Sequence, residues 1–468
     1  MTSYKWKALA TVALGTFMGT MDVSIVNISF PILTRVLNTE LTTVMWVTLA
    51  YTLVSTSLLL FLGRVGDQIG RKKIYGTGMV IFTIGLILCS LSQNIAQLII
   101  FRVLQAVGSA MAISCGTAIV AESFPPEERG QGLGLLGISV SAGFILGPIL
   151  GGLLLEWLHW RSIFYMRVPV GLLTVFMAMT FLKKDQVKAG KIEFDLLGIL
   201  SSSAGLALII FGVSTINRFG AKSLLVPLLI GLGILSLFSF VLIERRASNP
   251  IVDLSLFTNR VFSSAIWGLF LTFMAYPAYI LVMPFYLIQG IGLVPAKAGL
   301  ILAAVSMTSI FVGPISGWLS DRFGSVWFST MGALVTTIAF ILMRGFDLQT
   351  QIMGIVPVLV ILGLGMGLFQ SPNNSTIMGA VTKERLGTAS ALIATQRSVG
   401  IAVGTALAGT VYSARKIIHI NELSQQGLEA AAANQQAISS AFQDVLLISV
   451  FFIAVVVVLS LGTRSKTR

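Results

Sequence analysis

Hydrophobic positions run in long stretches broken by short charged or Pro/Gly/Asn-rich segments. A helix that spans a bilayer needs about 20 mostly apolar residues. Cutting the chain at the breaks leaves fourteen stretches of that order: 8–34, 43–63, 74–92, 96–121, 130–155, 162–182, 196–216, 223–243, 261–288, 296–317, 327–346, 352–379, 387–413 and 439–462. The pattern predicts an all-α membrane protein with 14 transmembrane helices. A β-barrel is excluded, because its strands alternate apolar and polar positions and are only about ten residues long. The longest polar pieces, the Lys-rich 183–195 and the Gln-, Ala- and Asn-rich 414–438, are too short to bury a core of their own. The first apolar stretch is too long for a cleavable signal and passes directly into further helices.

Composition agrees and narrows the picture. Of 468 residues, 55% are hydrophobic and 10% charged, and the mean hydropathy is +0.91; an average globular chain is about 25% charged. The two cysteines, Cys89 and Cys115, each sit inside an apolar stretch, which excludes a secreted disulfide scaffold. A net charge of +13 could suit a nucleic-acid partner, so the placement of the basic residues decides. With both termini cytoplasmic, twenty Lys and Arg fall in cytoplasmic segments and eight in outer ones, the asymmetry of the positive-inside rule. The charge is topological, and the chain is expected in the cell membrane without a nucleic-acid partner. Trp46, Trp157 and Trp160 at outer helix ends and Trp6, Trp318 and Trp327 at inner ends fit an aromatic belt.

Two motifs recur at nearly one offset. Gly63, Gly66, Asp67, Gly70 and Arg71 lie between the second and third stretches, and Gly317, Ser320, Asp321, Arg322 and Gly324 lie between the tenth and eleventh, 254 residues on. Ser141, Gly143, Gly147 and Gly152 return as Ser398, Gly400, Gly404 and Gly409, each 257 residues later. Duplication predicts a six-helix bundle over 1–182, two inserted helices with flanking cytoplasmic loops over 183–259, and a second six-helix bundle over 260–468. Parallel repeats of this kind are a transporter architecture.

Each motif has a mechanical reading. Gly63, Gly66 and Gly70 permit a tight turn, Asp67 can face the positive end of a neighbouring helix, and Arg71 can hold a carboxylate. That makes a conformational latch, with Glu384 and Arg385 as expected cross-partners and a mirror contact from Asp321 and Arg322 to Glu128 and Arg129. A latch that breaks when two halves rock would bias their equilibrium. Gly143, Gly147, Gly151 and Gly152 clear one helix face for close packing, and Pro148 loosens the backbone.

Among the eighteen acids, Asp22 alone lies mid-way along an apolar stretch, where a carboxylate costs about 2.5 kcal/mol or more. It must face a cavity, find a cation or hold a proton, and a carboxylate that alternates between such surroundings is a proton carrier. Arg102 is the best partner, at a depth difference of roughly 8 Å that a long side chain partly bridges; a purely structural pair is the alternative. Arg167 and Arg397 have no second acid and are expected to face water, carbonyls or an anionic group of a substrate. The only histidines, His159 and His419, fall in outer segments, which gives no support to a metal site or a catalytic triad. No Walker A run occurs. Neither enzyme activity nor a cofactor is expected, and transport would draw on an ion gradient or the substrate's own.

With these pieces placed, the chain resembles the major facilitator superfamily and, within it, the fourteen-helix drug/proton antiporter branch. The resemblance covers essentially the whole chain. It is carried by Met21 to Asn27 ending in Pro31, Trp46 to Tyr51, the 63–73 segment, Arg102 to Gly108, and the glycine-proline pattern from Gly143 to Gly152. Trp160 to Pro169 looks like a further motif of the branch, except that Arg167 stands where Asn is expected. The resemblance implies a monomer in the lipid bilayer that exports small amphipathic or drug-like substrates in exchange for protons, by rocking of two bundles about a central cavity. Position along the helices gives the candidate lining as Asn27, Tyr51, Tyr276, Tyr279, Tyr286, Gln289, Gln370, Asn373, Asn374, Gln396 and Arg397, together with Arg102. For Tyr276, Pro277, Tyr279 and Tyr286, interfacial anchoring or helix kinking is at least an equal alternative. A dedicated transporter of one lipid or anionic metabolite is the runner-up function. A non-transporting receptor or scaffold is more remote, since it has little use for two related halves.

Overall fold

In lipid there is no water to bond the backbone, so an apolar stretch satisfies its N–H and C=O groups internally as a helix. The computed structural model describes residues 2–125, 128–183, 196–219, 223–246, 254–382 and 385–462, and every regular element among them is helical. The Lys-rich segment from 184 to 195, Glu384, and the side chains of Arg64 and Asp67 lie outside the described residues. The membrane helices are α1 (Thr2–Val36), α2 (Trp46–Ile69, after a turn at Leu41–Val44), α3 (Arg71–Leu91), α4 (Ile95–Ser123), α5 (Arg129–Trp157) and α6 (Val168–Phe181, after a turn at Ser162–Tyr165). Next come α7 (Leu196–Phe219), α8 (Leu225–Arg246), α9 (Arg260–Ala275, continued to Gly290), α10 (Pro295–Phe323), α11 (Ser325–Met343), α12 (Ile352–Gly379), α13 (Leu386–Gln425) and α14 (Ala430–Gly462). Among the described residues thirteen are long and apolar enough to cross a bilayer, and the apolar part of α7 covers Leu200–Ile216.

The chain divides into two compact units, Met1–Ala204 and Gly205–Arg468, with the boundary inside α7. In the first, α3 packs on α4, α1 on α5, α2 on α4, and α6 against α1 and α3. In the second, α11 packs on α12, α9 on α13, α10 on α12, and α14 against α9 and α11, the same scheme with each helix number raised by eight. The sequence repeat is thus a packing repeat. Both motif turns end a helix on a glycine with positive φ, 119° at Gly70 and 94° at Gly324, a conformation open to a residue without Cβ. The helix crossings repeat too. A Cβ on Gly108 would overlap the backbone of Phe82 and Gly78, and one on Gly365 that of Thr336 and Gly332. Gly143 lies against the Phe17 and Met21 backbone of α1, and Gly400 against Phe270 and Met274 of α9. Gly147 and Gly151 continue the first contact along Ser24, Ile25 and Ile28, and α5 runs unbroken through Pro148. Gly152, on the same helix, is buried.

Two segments differ from the expected spans. Beyond Ala275, α9 passes through π-helical turns at Ala278–Val282 and Tyr286–Gly290, next to Pro277 and Pro284, whose missing N–H groups disfavour a regular ladder. The polar piece 414–438 is helical apart from a turn at Gly427, so α13 and α14 extend as a hairpin beyond their apolar parts. Its Ala, Gln, Glu and Lys are good helix formers. Its two arms are tied where Asp444 accepts from Arg415 at 2.5 Å and pairs with His419 at 2.8 Å.

Candidate functional site

Asp22 lies at mid-length of α1, and three side chains from two other helices converge on it. Arg102 Nη1 donates to Oδ2 at 2.5 Å, Arg167 Nη1 to Oδ1 at 2.5 Å, and Gln105 Nε2 to Oδ1 at 3.0 Å. Arg102 and Gln105, three residues apart on α4, share a face, and Arg102 also donates to the Gln105 amide oxygen at 2.8 Å. Arg167 sits at the N-cap of α6, where Pro169 in the first turn starts the helix. Each guanidinium is braced by a backbone carbonyl, Arg102 Nε on Val47 O at 3.0 Å and Arg167 Nε on Ile163 O at 2.6 Å. Arg102 also lies 4.1 Å from the centroid of the Tyr51 ring, whose hydroxyl donates to Ser109 at 2.7 Å. The cluster is closed off: Asp22 and Arg102 are 0% exposed and Arg167 2%. In this arrangement every partner of Asp22 is a donor and the carboxylate is acceptor-only.

Arg167 therefore departs from expectation. For want of a second acid it was expected to face water, carbonyls or an anionic group of a substrate; it does meet a carbonyl, Ile163 O, but it also shares Asp22 with Arg102. One carboxylate has two oxygens and several lone pairs, enough for two cations and an amide. Gln105 is the residue that sequence reasoning missed; its signal was the three-residue spacing from Arg102.

The second unit repeats the scaffold without the charges. Gly143 faces Met21 and Gly400 faces Met274, so Asp22 corresponds to Ala275. The offset of 257 between the paired glycines Gly108 and Gly365 takes Arg102 and Gln105 to Leu359 and Leu362. All three counterparts are buried and apolar.

Several latch candidates have described contacts inside their own unit. Arg71 pairs with Glu122 at 2.7 Å, and Lys72 donates to the carbonyl of Met179 at 3.0 Å at the end of α6. Gly63 lies beside Ser114 and Gly66 against Cys115, both on α4. Glu128 is held by Lys5, and Arg129 opens α5. Asp321 and Arg322 are exposed, with Arg322 4.2 Å from the Trp318 ring centroid, and Arg385 donates to Ser255 at 2.8 Å.

Several lining candidates carry structural contacts. Asn27 is buried and accepts from Thr48 at 3.3 Å. The rings of Tyr276 and Tyr279 lie 5.5 Å apart, and the Tyr279 hydroxyl donates to Leu302 O. Tyr286 is stacked by Phe346 and Phe442 and donates to Asp347 O at 2.6 Å, an anchoring contact at the α11–α12 loop. Asn373 donates to Ala265 O at 3.1 Å. Gln289, Gln370, Asn374, Gln396 and Arg397 are half-buried, and Arg397 lies 5.0 Å from the Phe273 ring centroid.

The family model of the Major Facilitator Superfamily matches residues 12–405. The chain belongs to this superfamily. As a member it is a membrane transporter and not an enzyme. Among curated relatives it is 34% identical to the riboflavin transporter RibZ of Clostridioides difficile (strain 630), over 96% of this chain and 97% of that one. It is 29% identical to the multidrug transporter protein MdtP of Bacillus subtilis (strain 168), over 86% of this chain and 74% of that one. Among solved structures, a bacterial homologue of the human lysosomal transporter Spinster, inward-facing and unoccupied, covers 99% of this chain and 98% of its own with a TM-score of 0.72 at 15% identity. That likeness is one of fold.

Proposed function

We propose that this superfamily member is a proton-coupled exporter of small amphipathic compounds that works by alternating access, as a monomer in the cell membrane with both termini cytoplasmic. The observation that carries the reading is the Asp22 carboxylate, held mid-helix by Arg102, Gln105 and Arg167. An acceptor-only carboxylate takes up a proton only after its donors withdraw, so movement of α4 or α6 against α1 couples protonation to conformation. In this proposal the bundles 1–182 and 260–468 rock about the inserted 183–259 helices, and the Gly63, Asp67, Gly70, Arg71 turn biases the balance between the two forms. In proteoliposomes with an imposed pH gradient, Asp22→Asn should abolish uphill efflux of a neutral substrate while downhill exchange continues. Robust uphill transport by that variant would remove Asp22 as the obligatory proton carrier.

A second reading, transport of a single dedicated compound, is favoured by one comparison. The match to the riboflavin transporter runs the length of both chains, whereas the match to the multidrug protein takes in about three-quarters of the latter. Riboflavin is then the first substrate to try. Efflux of riboflavin alone from a panel that also holds cationic and neutral dyes would replace broad export by the dedicated function, and efflux of several unrelated compounds would exclude the dedicated one.

A further inference from the structure

The Asp22 cluster is one negative charge short. Asp22 is the only buried acid among the described residues of the first unit, and it faces two buried arginines, which leaves a net charge of one positive unit. Donor accounting shows the same deficit. Both arginines use Nη1 on Asp22 and Nε on a backbone carbonyl, and the Nη2 of each is buried without an acceptor among the described residues. The nearby Gln105 is already engaged, since its oxygen accepts from Arg102 and from the Cys89 thiol and its nitrogen donates to Asp22. A buried charge without a counter-charge is strongly unfavourable, and so is a buried donor without an acceptor. At the corresponding positions of the second unit Ala275, Leu359 and Leu362 carry neither a charge nor a side-chain donor.

We infer that Arg102 and Arg167 form a binding site for a monoanion, which accepts from their Nη2 atoms and brings the cluster to neutrality. The chemistry is that of a small inorganic anion such as chloride or of a carboxylate on a transported compound. A cation is repelled by the same accounting, and a dianion would overcompensate it. The site stands on the first unit alone and goes beyond the proton-coupling reading, which rests on Asp22.

The test uses the purified full-length chain in detergent, with gluconate as a bulky reference anion at constant ionic strength and pH. Chloride and, separately, benzoate are titrated, and the thermal unfolding midpoint is read. A ligand that binds the folded state alone raises the midpoint with its concentration. The wild type should show a saturable rise, and Arg167→Gln should lose it. Asp22→Asn raises the cluster to two positive charges, so the half-saturating concentration should fall by about tenfold or more. A response to chloride alone identifies a free ion and a response to benzoate alone a carboxylate on the substrate; either supports the site. No saturable response, or one that survives Arg167→Gln, overturns it. If Arg167→Gln does not fold, Arg102→Gln, which likewise leaves Asp22 a single arginine, decides: a saturable response that survives it overturns the site. Loss of proton-driven efflux would bear on the proposed function and leave this readout untouched.

Discussion

At the scale of single residues, the arrangement around Asp22 dictates an order of stability that pairwise reasoning would reverse. Removing Arg167 leaves Asp22 with Arg102 and Gln105, a charge-balanced set, whereas removing the Asp22 charge leaves two buried arginines without their shared carboxylate. Asp22→Asn should therefore cost the folded state about 3 kcal/mol or more, and Arg167→Gln less. Adding Arg167→Gln to Asp22→Asn should recover about 1 kcal/mol of that loss. Denaturation midpoints of the two single variants and the double variant give the cycle, and strictly additive losses would contradict the shared carboxylate. How much of this was legible follows from the same chemistry. Asp22 and Arg102 stood out because a charge inside an apolar stretch has few explanations. Gln105 is neutral and drew no notice. The carbonyl contact of Arg167 was expected, but its pairing with Asp22 was missed because acids and bases were matched one to one, which a carboxylate with two oxygens need not obey.

At the scale of elements, the helices were readable because lipid leaves an apolar stretch one way to satisfy its backbone. Where lipid ends, so does the signal: the helical hairpin at 414–438 is set by propensity and by the Asp444 contacts, and hydropathy is blind to both. Of the π-helical turns of α9 the sequence offered only a kink near Pro277, since hydropathy reports burial and not the backbone register around Pro277 and Pro284. The two motif turns share their glycine geometry but differ in anchoring. Arg71 is tied to Glu122 and Lys72 to the end of α6, whereas the counterpart of Arg71 is Ser325, which accepts from Thr376 at 2.7 Å. Asp67→Asn should accordingly lower transport by about tenfold, the effect of shifting the conformational bias by about 1.4 kcal/mol. Asp321→Asn should lower it less. Transport rates at matched expression check both, and full activity in each variant would leave the turns with a topological role only.

At the scale of the whole molecule, the proposed topology can be read directly. Cys89 and Cys115 are buried, so a new cysteine reports alone. Gln425→Cys should react with an impermeant maleimide on intact cells and Lys188→Cys only after permeabilisation; the opposite pattern would invert the orientation. The same hairpin has a practical side. Helix α13 is 40 residues long, about 60 Å at 1.5 Å per residue, roughly twice the 30 Å of hydrocarbon that a bilayer offers. On this topology a two-stranded helical hairpin, braced at Asp444, stands out from the cell surface. An antibody fragment raised against its tip would supply the landmark by which a 50.1 kDa particle can be oriented in electron images.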